Sequence, residues 1–458
     1  MNEEELITLA YEFHTQNDLK NAQKYYLLAL TLNPRHPQVH NNLGTIYQAA
    51  QNYETARFHY EKALICKPDY FDAIKNMINV LNKLTIVYKL DNELTKAKEC
   101  ALKVIELDFE NSDAYNNLGV IYKENRDLLK AENCYKKAIE LDPTSVDTLL
   151  NISLLCLLQK EYEKGFELYR YRYHKYDLHT NAELVKNMSL IQSLEEVKGK
   201  KVLISFEQGF GDAIQFIRFR SLLATVNAEF SFYIQEPLKK LFTYNFPYTR
   251  FVDHEQLKEF NYYFPIMDAS HLLGLTYENI PSSEGYLKVD KKDVNEVTIA
   301  NELANPSKKI GFAFKGSSLH QNDSNRSMEL SIFLEGVLTL QGDVRLYSLQ
   351  HGLNEDEKKL LKEYDIVDLG SQIKDFYDTA VMVACMDLNI TIDSSLVHIS
   401  GALAKKTLLL LPFAPDWRWG IDDSKTNWYD SVKIYRQQEV ALWDSVFEAV
   451  VKDIRDEL

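Results

Sequence analysis

Four groups of residues in this chain combine types and spacing that suit chemistry on an anionic ligand. The richest runs from Asn389 to Trp419, NITIDSSLVHISGALAKKTLLLLPFAPDWRW. Asp387–Ile392 reads as a buried strand, Asp393, Ser394 and Ser395 as a turn, and the residues around His398 as a helix that breaks at Gly401-Ala402. A strand feeding a helix capped by Asp and Ser aims free backbone N–H groups and a positive dipole end at one spot, an arrangement that holds phosphate or diphosphate. His398 either faces the same mouth or is a core histidine bonded to a carbonyl.

The second group is Gly209-Phe210-Gly211-Asp212, directly after the apolar run KVLIS. A dinucleotide fingerprint would need a third glycine where Ile214 stands, so a nicotinamide cofactor is a weak reading. Asp212 suits a general base and equally an N-cap for the helix that follows, and both roles can coexist. The third group is Lys315-Gly316-Ser317-Ser318 with His320, Asn322, Asp323 and Arg326. Arg326 suits bidentate contact to phosphate, and a solvated polar loop is the alternative. The fourth is Pro415-Asp416-Trp417-Arg418-Trp419, followed by Asn427-Trp428-Tyr429 and Arg436-Gln437. It reads either as a stacking wall for a base or sugar or as a packed lid. Trp417 and Arg418 take the ligand reading and Trp428 the packing one.

These groups need scaffolding, and the strand pattern supplies it. A strand opening KVLISFEQGFGDAIQFIRFRSLL, with apolar runs at Phe230–Ile234, Arg250–Val252 and Tyr262–Pro265, forms one βα set. A strand opening KKIGFAFKGSSLHQNDSNRSMEL, with runs at Val344–Leu349, Ile366–Leu369, Leu388–Ile392 and Thr407–Leu411, forms a second, with a break near Asn295–Ser307. Ligands of such α/β layers bind beyond the strand C-termini. The expected architecture is an α-solenoid over 1–177, then two Rossmann-like lobes over 178–305 and 306–458, the last ending in a helix.

The solenoid is legible as self-similarity. HNNLGTIYQAAQNYETARFHYEKALICKP from His40 and YNNLGVIYKENRDLLKAENCYKKAIELDP from Tyr115 share one pattern. Its marks recur at Ala22, Tyr26, Ala29 and Pro34, at Leu43, Gly44, Tyr47, Ala56, Tyr60, Ala63 and Pro68, and at Leu118, Gly119, Tyr122, Ala131, Tyr135, Ala138 and Pro143. This is the tetratricopeptide repeat, with a period of about 34 residues. A degenerate copy runs from Val146 through Gly165. The third copy is about seven residues too long, two helical turns, which predicts a protruding hairpin that keeps its apolar face. Asn42, Asn76, Asn117 and Asn151 share one position of the repeat. Their amides either read the backbone of a bound peptide or serve helix packing.

The second half resembles the GT-B glycosyltransferases, especially the heptosyltransferase-like group. Those enzymes carry a W-x-G-N-x-x-H-x-N-D-x-x-R-S type run where this chain keeps His320, Asn322, Asp323, Arg326 and Ser327, with Phe314 in place of the usual Trp. The whole layout is similar to O-GlcNAc transferase, whose asparagine ladder the four repeat asparagines resemble. In motif it is similar to bacterial tetratricopeptide glycosyltransferases that modify flagellin. The resemblance implies transfer of a sugar from a nucleotide donor to Ser/Thr of a protein held by the repeats. It implies Asp212 as base, with His320 in reserve. Gly209, Gly211, Lys315, Ser317, Arg326, Asp393, Ser394, Ser395, His398, Trp417 and Arg418 would hold the donor, and Asn42, Asn76, Asn117 and Asn151 the acceptor. With no D-x-D motif, phosphate charge falls to Arg326, Lys315 and the Ser394-Ser395 turn rather than a metal, and no cofactor is expected. A lipid or polysaccharide acceptor, or an inactive transferase half serving as scaffold, are the alternatives.

The totals set bounds. A formal charge of −15 opposes general nucleic-acid binding. The five cysteines form no C-x-x-C pair and read as packing residues in a reducing compartment. No apolar run reaches the length of a membrane span. The acidic start MNEEELITLAYEFH is not a secretion signal, and the terminal Arg-Asp-Glu-Leu is attributed to chance. A cytoplasmic protein is expected, with the repeats also offering a surface for homo-oligomers.

Overall fold

The computed structural model describes residues 1–174, 185, 187–207, 209–281, 284–294, 304, 306–317, 323–340 and 344–457. The chain divides into two compact units, Met1–Asn151 and Ile152–Leu458. The second helix of the degenerate repeat therefore belongs to the second unit.

The first unit is built of antiparallel helix pairs: α1 (Glu3–Thr15) with α2 (Leu19–Leu32), α3 (Pro37–Ala49) with α4 (Tyr53–Cys66), α5 (Phe71–Leu90) with α6 (Leu94–Leu107), and α7 (Ser112–Glu124) with α8 (Leu128–Leu141). α9 (Val146–Leu158) runs out of this unit, and α10 (Tyr162–Tyr169) follows it. Side-chain caps start many of them: Asn2, Asp18, Asn52, Asn111 and Asp127 each accept a backbone N–H of the first turn. Each pair turns through one residue of positive φ, at Asn17, Gln51, Asn92, Arg126 and Lys160. The interhelical crossing tolerates no side chain at its tightest point. A Cβ on Gly44 would sit 2.4 Å from the Tyr60 ring, and one on Gly119 2.5 Å from the Tyr135 ring.

The expected hairpin in the third copy is corrected in one respect. α5 has 20 residues where α3 and α7 have 13, while α6 keeps the 14 residues of α4 and α8. The insertion lengthens one helix by two turns, and Val80, Leu81 and Leu84 stay buried along the added stretch because two turns restore the apolar face.

The second unit carries two sheets. Strands β1 (Ser189–Leu190), β2 (Lys201–Ser205), β3 (Glu229–Tyr233), β4 (Arg250–Phe251) and β5 (Tyr262–Pro265) form the first, all parallel, in the order β1-β5-β2-β3-β4. The second comprises β6 (Lys309–Ala313), β7 (Arg345–Ser348), β8 (Val367–Asp368), β9 (Leu388–Ile392), β10 (Thr407–Leu411), β11 (Lys425–Thr426) and β12 (Tyr429–Arg436). Its order is β11-β12-β10-β9-β6-β7-β8, parallel except for the β11–β12 pair. β9 and β10 are buried at every position, as parallel strands covered on both faces must be. The sequence pattern missed β12, since its aromatic start reads as part of the preceding loop.

Each sheet reverses direction once. From β2 the chain moves outward to β3 and β4 and returns to β5 on the other side. From β6 it moves to β7 and β8 and returns to β9. The reversals fall between β2 and β5 and between β6 and β9, and ligands of such sheets bind beyond the strand C-termini at these points. Gly209–Asp212 follow β2, Lys315–Ser317 follow β6, and Asp393–Ser395 follow β9, so the candidate residues lie at both reversals.

Candidate functional site

The turn after β2 is held by a buried ion network of which residue spacing shows no direct sign. Arg172, just after α10, is buried and donates to Glu207 Oε2 at 2.7 Å, Glu207 Oε1 at 2.9 Å and Asp268 Oδ1 at 2.8 Å. Glu207 also accepts the Met267 N–H at 3.1 Å, so one carboxylate ties the end of β2 to the end of β5. Burial pushes its carboxyl upward while Arg172 pulls it back. The only sequence signal was an acidic residue in the turn after a strand. Its partners lie 35 and 60 positions away.

Helix α11 (Phe210–Phe216) starts at this turn. Asp212 Oδ2 accepts the Gly209 N–H at 3.0 Å; the N-cap is Gly209 rather than Asp212, because the helix begins three residues before Ala213 and Asp212 reaches back to the cap from its first turn. Its other oxygen accepts from Arg418 Nη2. Arg418 also donates from Nη1 to Asp416 Oδ1 at 2.9 Å and from Nε to Gln215 Oε1 at 2.7 Å. Gly211 permits the next contact: a Cβ there would meet His398 Cδ2 at 2.7 Å. α11 can thus lie against α16 (Ser395–Ala402), the helix that follows β9 after α12 (Lys239–Asn245), α13 (Leu330–Val337), α14 (Glu355–Glu363) and α15 (Phe376–Cys385) in chain order.

His398 is buried, stacks on Trp419 with ring centroids 5.7 Å apart, and shares a hydrogen bond of 3.0 Å between Nδ1 and the Tyr429 hydroxyl. Burial, reinforced by Arg418, Arg218 and Arg326, holds its imidazole well below the ordinary value, so it is neutral at pH 7. Asp393 is half-buried; desolvation, then the Asp416 carboxylate, push its carboxyl up to about 6 against the pull of Arg418 and Arg326. Ser394 caps α16 by accepting the Leu396 N–H at 3.3 Å, and Ser395 is half-buried beside it.

Arg326 Nη1 donates to the Asp393 carbonyl at 2.9 Å and Nε to Asp323 Oδ1 at 3.2 Å. It bridges the loop after β6 to the turn after β9, and Gly316 leaves room for it, since a Cβ would lie 2.5 Å from Nη2. Lys315 is engaged elsewhere: Nζ pairs with both oxygens of Glu357 at 2.7 and 2.6 Å. Ser317 is exposed. Ser318, His320 and Asn322 lie outside the described residues.

Trp417 departs from the open stacking wall. It is buried and edge-on to Tyr162 at 5.8 Å and Phe166 at 5.6 Å, both on α10, and to Trp428 at 6.1 Å. The Arg418 guanidinium lies over its ring, 4.5 Å from the centroid. Trp428 is buried, with Nε1 donating to the Tyr162 hydroxyl at 3.2 Å. The Trp-rich loop is thus a packed platform that presents Arg418. Arg436 fastens it by donating to the Trp419 and Asp423 carbonyls.

The repeat asparagines are half-buried and partly engaged with one another's repeats. Asn76 donates to Asn41 at 3.0 Å, Asn151 to Asn116 at 2.9 Å, and Asn42 to the Tyr26 hydroxyl at 3.0 Å. Helix stitching, the packing alternative, accounts for those donors.

Family models described as tetratricopeptide repeat match residues 112–145 and 6–36, and one described as an Est1 DNA/RNA binding domain matches residues 22–99. Protein FlbA of Caulobacter vibrioides is 26% identical over 289 residues, covering 57% of this chain and 47% of that protein. The uncharacterized protein ycf37 of Guillardia theta is 33% identical over 76 residues, 17% of this chain and 39% of that protein. The chain thus spans less than half the length of these two relatives. Among solved structures, a tetratricopeptide repeat protein of Parabacteroides merdae is 23% identical, with a TM-score of 0.31 over 38% of this chain and 68% of that one. YrrB, described as a tetratricopeptide protein with an unusual peptide-binding site, is 22% identical, with a TM-score of 0.31 over 40% and 91%. The first unit is a tetratricopeptide solenoid, a module that binds protein partners. Among the described residues no helix is long and apolar enough to cross a membrane.

Proposed function

We propose that the second unit is a GT-B glycosyltransferase that moves a sugar from a nucleotide donor to Ser/Thr of a flagellin-like protein recruited by the repeats. The observation that carries this reading is the convergence of Asp212 with Arg418, which joins the turn after β2 of one sheet to the loop after β10 of the other. Arg326 and the Asp393–Ser395 turn lie at the second sheet's reversal point, where a diphosphate would meet cations and the N-terminus of α16. In the reaction the acceptor hydroxyl oxygen bonds to the anomeric carbon as the carbon–oxygen bond to the diphosphate breaks. The electron pair leaves with the nucleoside diphosphate, and the hydroxyl proton passes to Asp212. Arg326 and Arg418 offset the charge that grows on the leaving oxygen. His398, neutral and buried, orients the wall rather than carrying a charge.

A scaffold reading is favoured by one observation: Arg418, Arg326 and Lys315 are all paired within the protein. Calorimetric titration with a panel of nucleoside diphosphates separates the two. Saturable binding at micromolar concentration supports the transferase, and no heat from any of them supports the scaffold.

A further inference from the structure

We propose that Arg418 is a lock on Asp212 that the donor diphosphate releases; this rests on the transferase reading above. In the ligand-free protein the guanidinium binds Asp212 and Asp416 together and donates its third direction to Gln215. A carboxylate held this way already accepts one hydrogen bond on each oxygen, from Gly209 and from the charged Arg418, which makes it a weaker acceptor for a hydroxyl proton. The incoming diphosphate is the stronger competitor, since it carries more charge and more acceptor oxygens than a single carboxylate. Turning Arg418 toward phosphate detaches it from Asp212, and the freed oxygen then faces the acceptor.

Two features of the site fit a guanidinium that changes partners rather than a fixed strut. Gln215 is buried, and its Nε2, on the same amide that receives Arg418 Nε, has no hydrogen-bond partner among the described residues. A buried donor without a partner is costly, and an anionic oxygen beside Arg418 would satisfy it. Secondly, carboxylates crowd the guanidiniums: Asp212 and Asp416 accept from Arg418 and Asp323 from Arg326, and burial, then the Asp416 carboxylate, raise the Asp393 carboxyl. These carboxylates outnumber the two guanidiniums, so an incoming diphosphate is held only by displacing a carboxylate from one of them. The face of Trp417 under Arg418 supports the guanidinium in either position. The lock keeps the base engaged until donor is present, so an acceptor hydroxyl is activated only when a leaving group is in place.

The test is a double-mutant cycle on nucleoside diphosphate affinity, measured calorimetrically on the full chain. Asp212→Asn removes the carboxylate that competes for Arg418, so it should tighten binding about tenfold. With Arg418→Gln in the background the same change should alter affinity less than twofold, since no guanidinium remains to be released. Circular dichroism melts of the four proteins confirm that each is folded at the assay temperature. An equal gain from Asp212→Asn in both backgrounds would reveal simple charge removal and overturn the lock while leaving the transferase reading intact. No gain in either background would overturn it in the same way. If wild-type protein binds no nucleoside diphosphate, the transferase reading fails and the lock falls with it.

Discussion

Asp212 and Arg418, 206 positions apart in the chain, meet as an ion pair that closes the space between the strand ends of two separate sheets. The pair is positioned from both sides. Gly209 and the Arg172–Glu207–Asp268 network fix the turn that carries Asp212, and the Trp417 platform fixes Arg418. Neither element makes a site alone.

Arg326→Ala should weaken nucleotide binding at least tenfold, because one charged hydrogen bond to phosphate is typically worth about 1.5–3 kcal/mol. Some of the loss will come from the Asp393 carbonyl, which Arg326 anchors. Calorimetry on a variant whose melting curve is cooperative checks this, and an unchanged dissociation constant would remove Arg326 from the donor site.

Gly211→Ala tests whether the close approach of α11 and α16 matters. The added methyl would press on the His398 ring, 2.7 Å from its Cδ2, and that ring is held by Trp419 and Tyr429. Overpacking of this kind costs about 1–3 kcal/mol, read as a lower thermal midpoint. Donor turnover should fall with it as α11 carries Asp212 away from Arg418. A variant with the stability and activity of the parent would show that the two helices have slack.

The repeats carry a pH response of their own. His40 Nε2 lies 3.0 Å from the Pro34 carbonyl and must donate to it, so His40 Nδ1 is bare and accepts from His59 Nδ1–H at 3.1 Å. A proton on His40 Nδ1 removes the acceptor and breaks this bond, and one on His59 Nε2 places a charge in the buried pair. Burial, then His40, push His59 down to about 4 from an ordinary value of 6.5. The unfolded chain therefore binds more protons across this window. Stability is complete above about pH 6.5 and is lost as pH falls toward 4, by about 2 kcal/mol between pH 7 and pH 5. Denaturant midpoints of the wild type and His59→Gln across that range measure it. Parallel slopes for the two proteins would contradict the assignment.

Changing Asn42, Asn76, Asn117 and Asn151 together to Ala should abolish modification of the acceptor while slow donor hydrolysis persists. It should also destabilise the solenoid, since Asn41 and Asn116 lose their donors and a buried unpaired acceptor costs about 1–3 kcal/mol. The assay therefore belongs well below the melting temperature. Undiminished acceptor modification, read by intact-protein mass spectrometry, would place recruitment elsewhere.

Legibility in the sequence followed the range of the interaction. The solenoid was plain because its rules are local: a period, a crossing glycine opposite a tyrosine, a turn residue at positive φ. The parallel strands β2, β6, β9 and β10 were visible as apolar runs, and the turns after them as Gly-, Ser- and Asp-rich breaks. β12 was hidden because a half-exposed strand beginning with aromatics lacks a clean alternation. The role of Trp417 could not be read locally, since its ring packs against Tyr162 and Phe166, some 250 residues earlier. The Arg172–Glu207–Asp268 network and the Glu357 partner of Lys315 are likewise products of tertiary placement that residue spacing does not encode.

The central claim is that Asp212 acts on a sugar bound as its nucleoside diphosphate. Its most direct test is turnover of a panel of nucleotide sugars by the purified full chain, wild type against Asp212→Asn, following release of nucleoside diphosphate with and without a co-expressed acceptor. The account predicts turnover of one donor by the wild type, faster with acceptor, and a fall on the order of a hundredfold in the variant with donor binding retained. Release of no nucleoside diphosphate from any donor, or equal release by the two proteins, would contradict it.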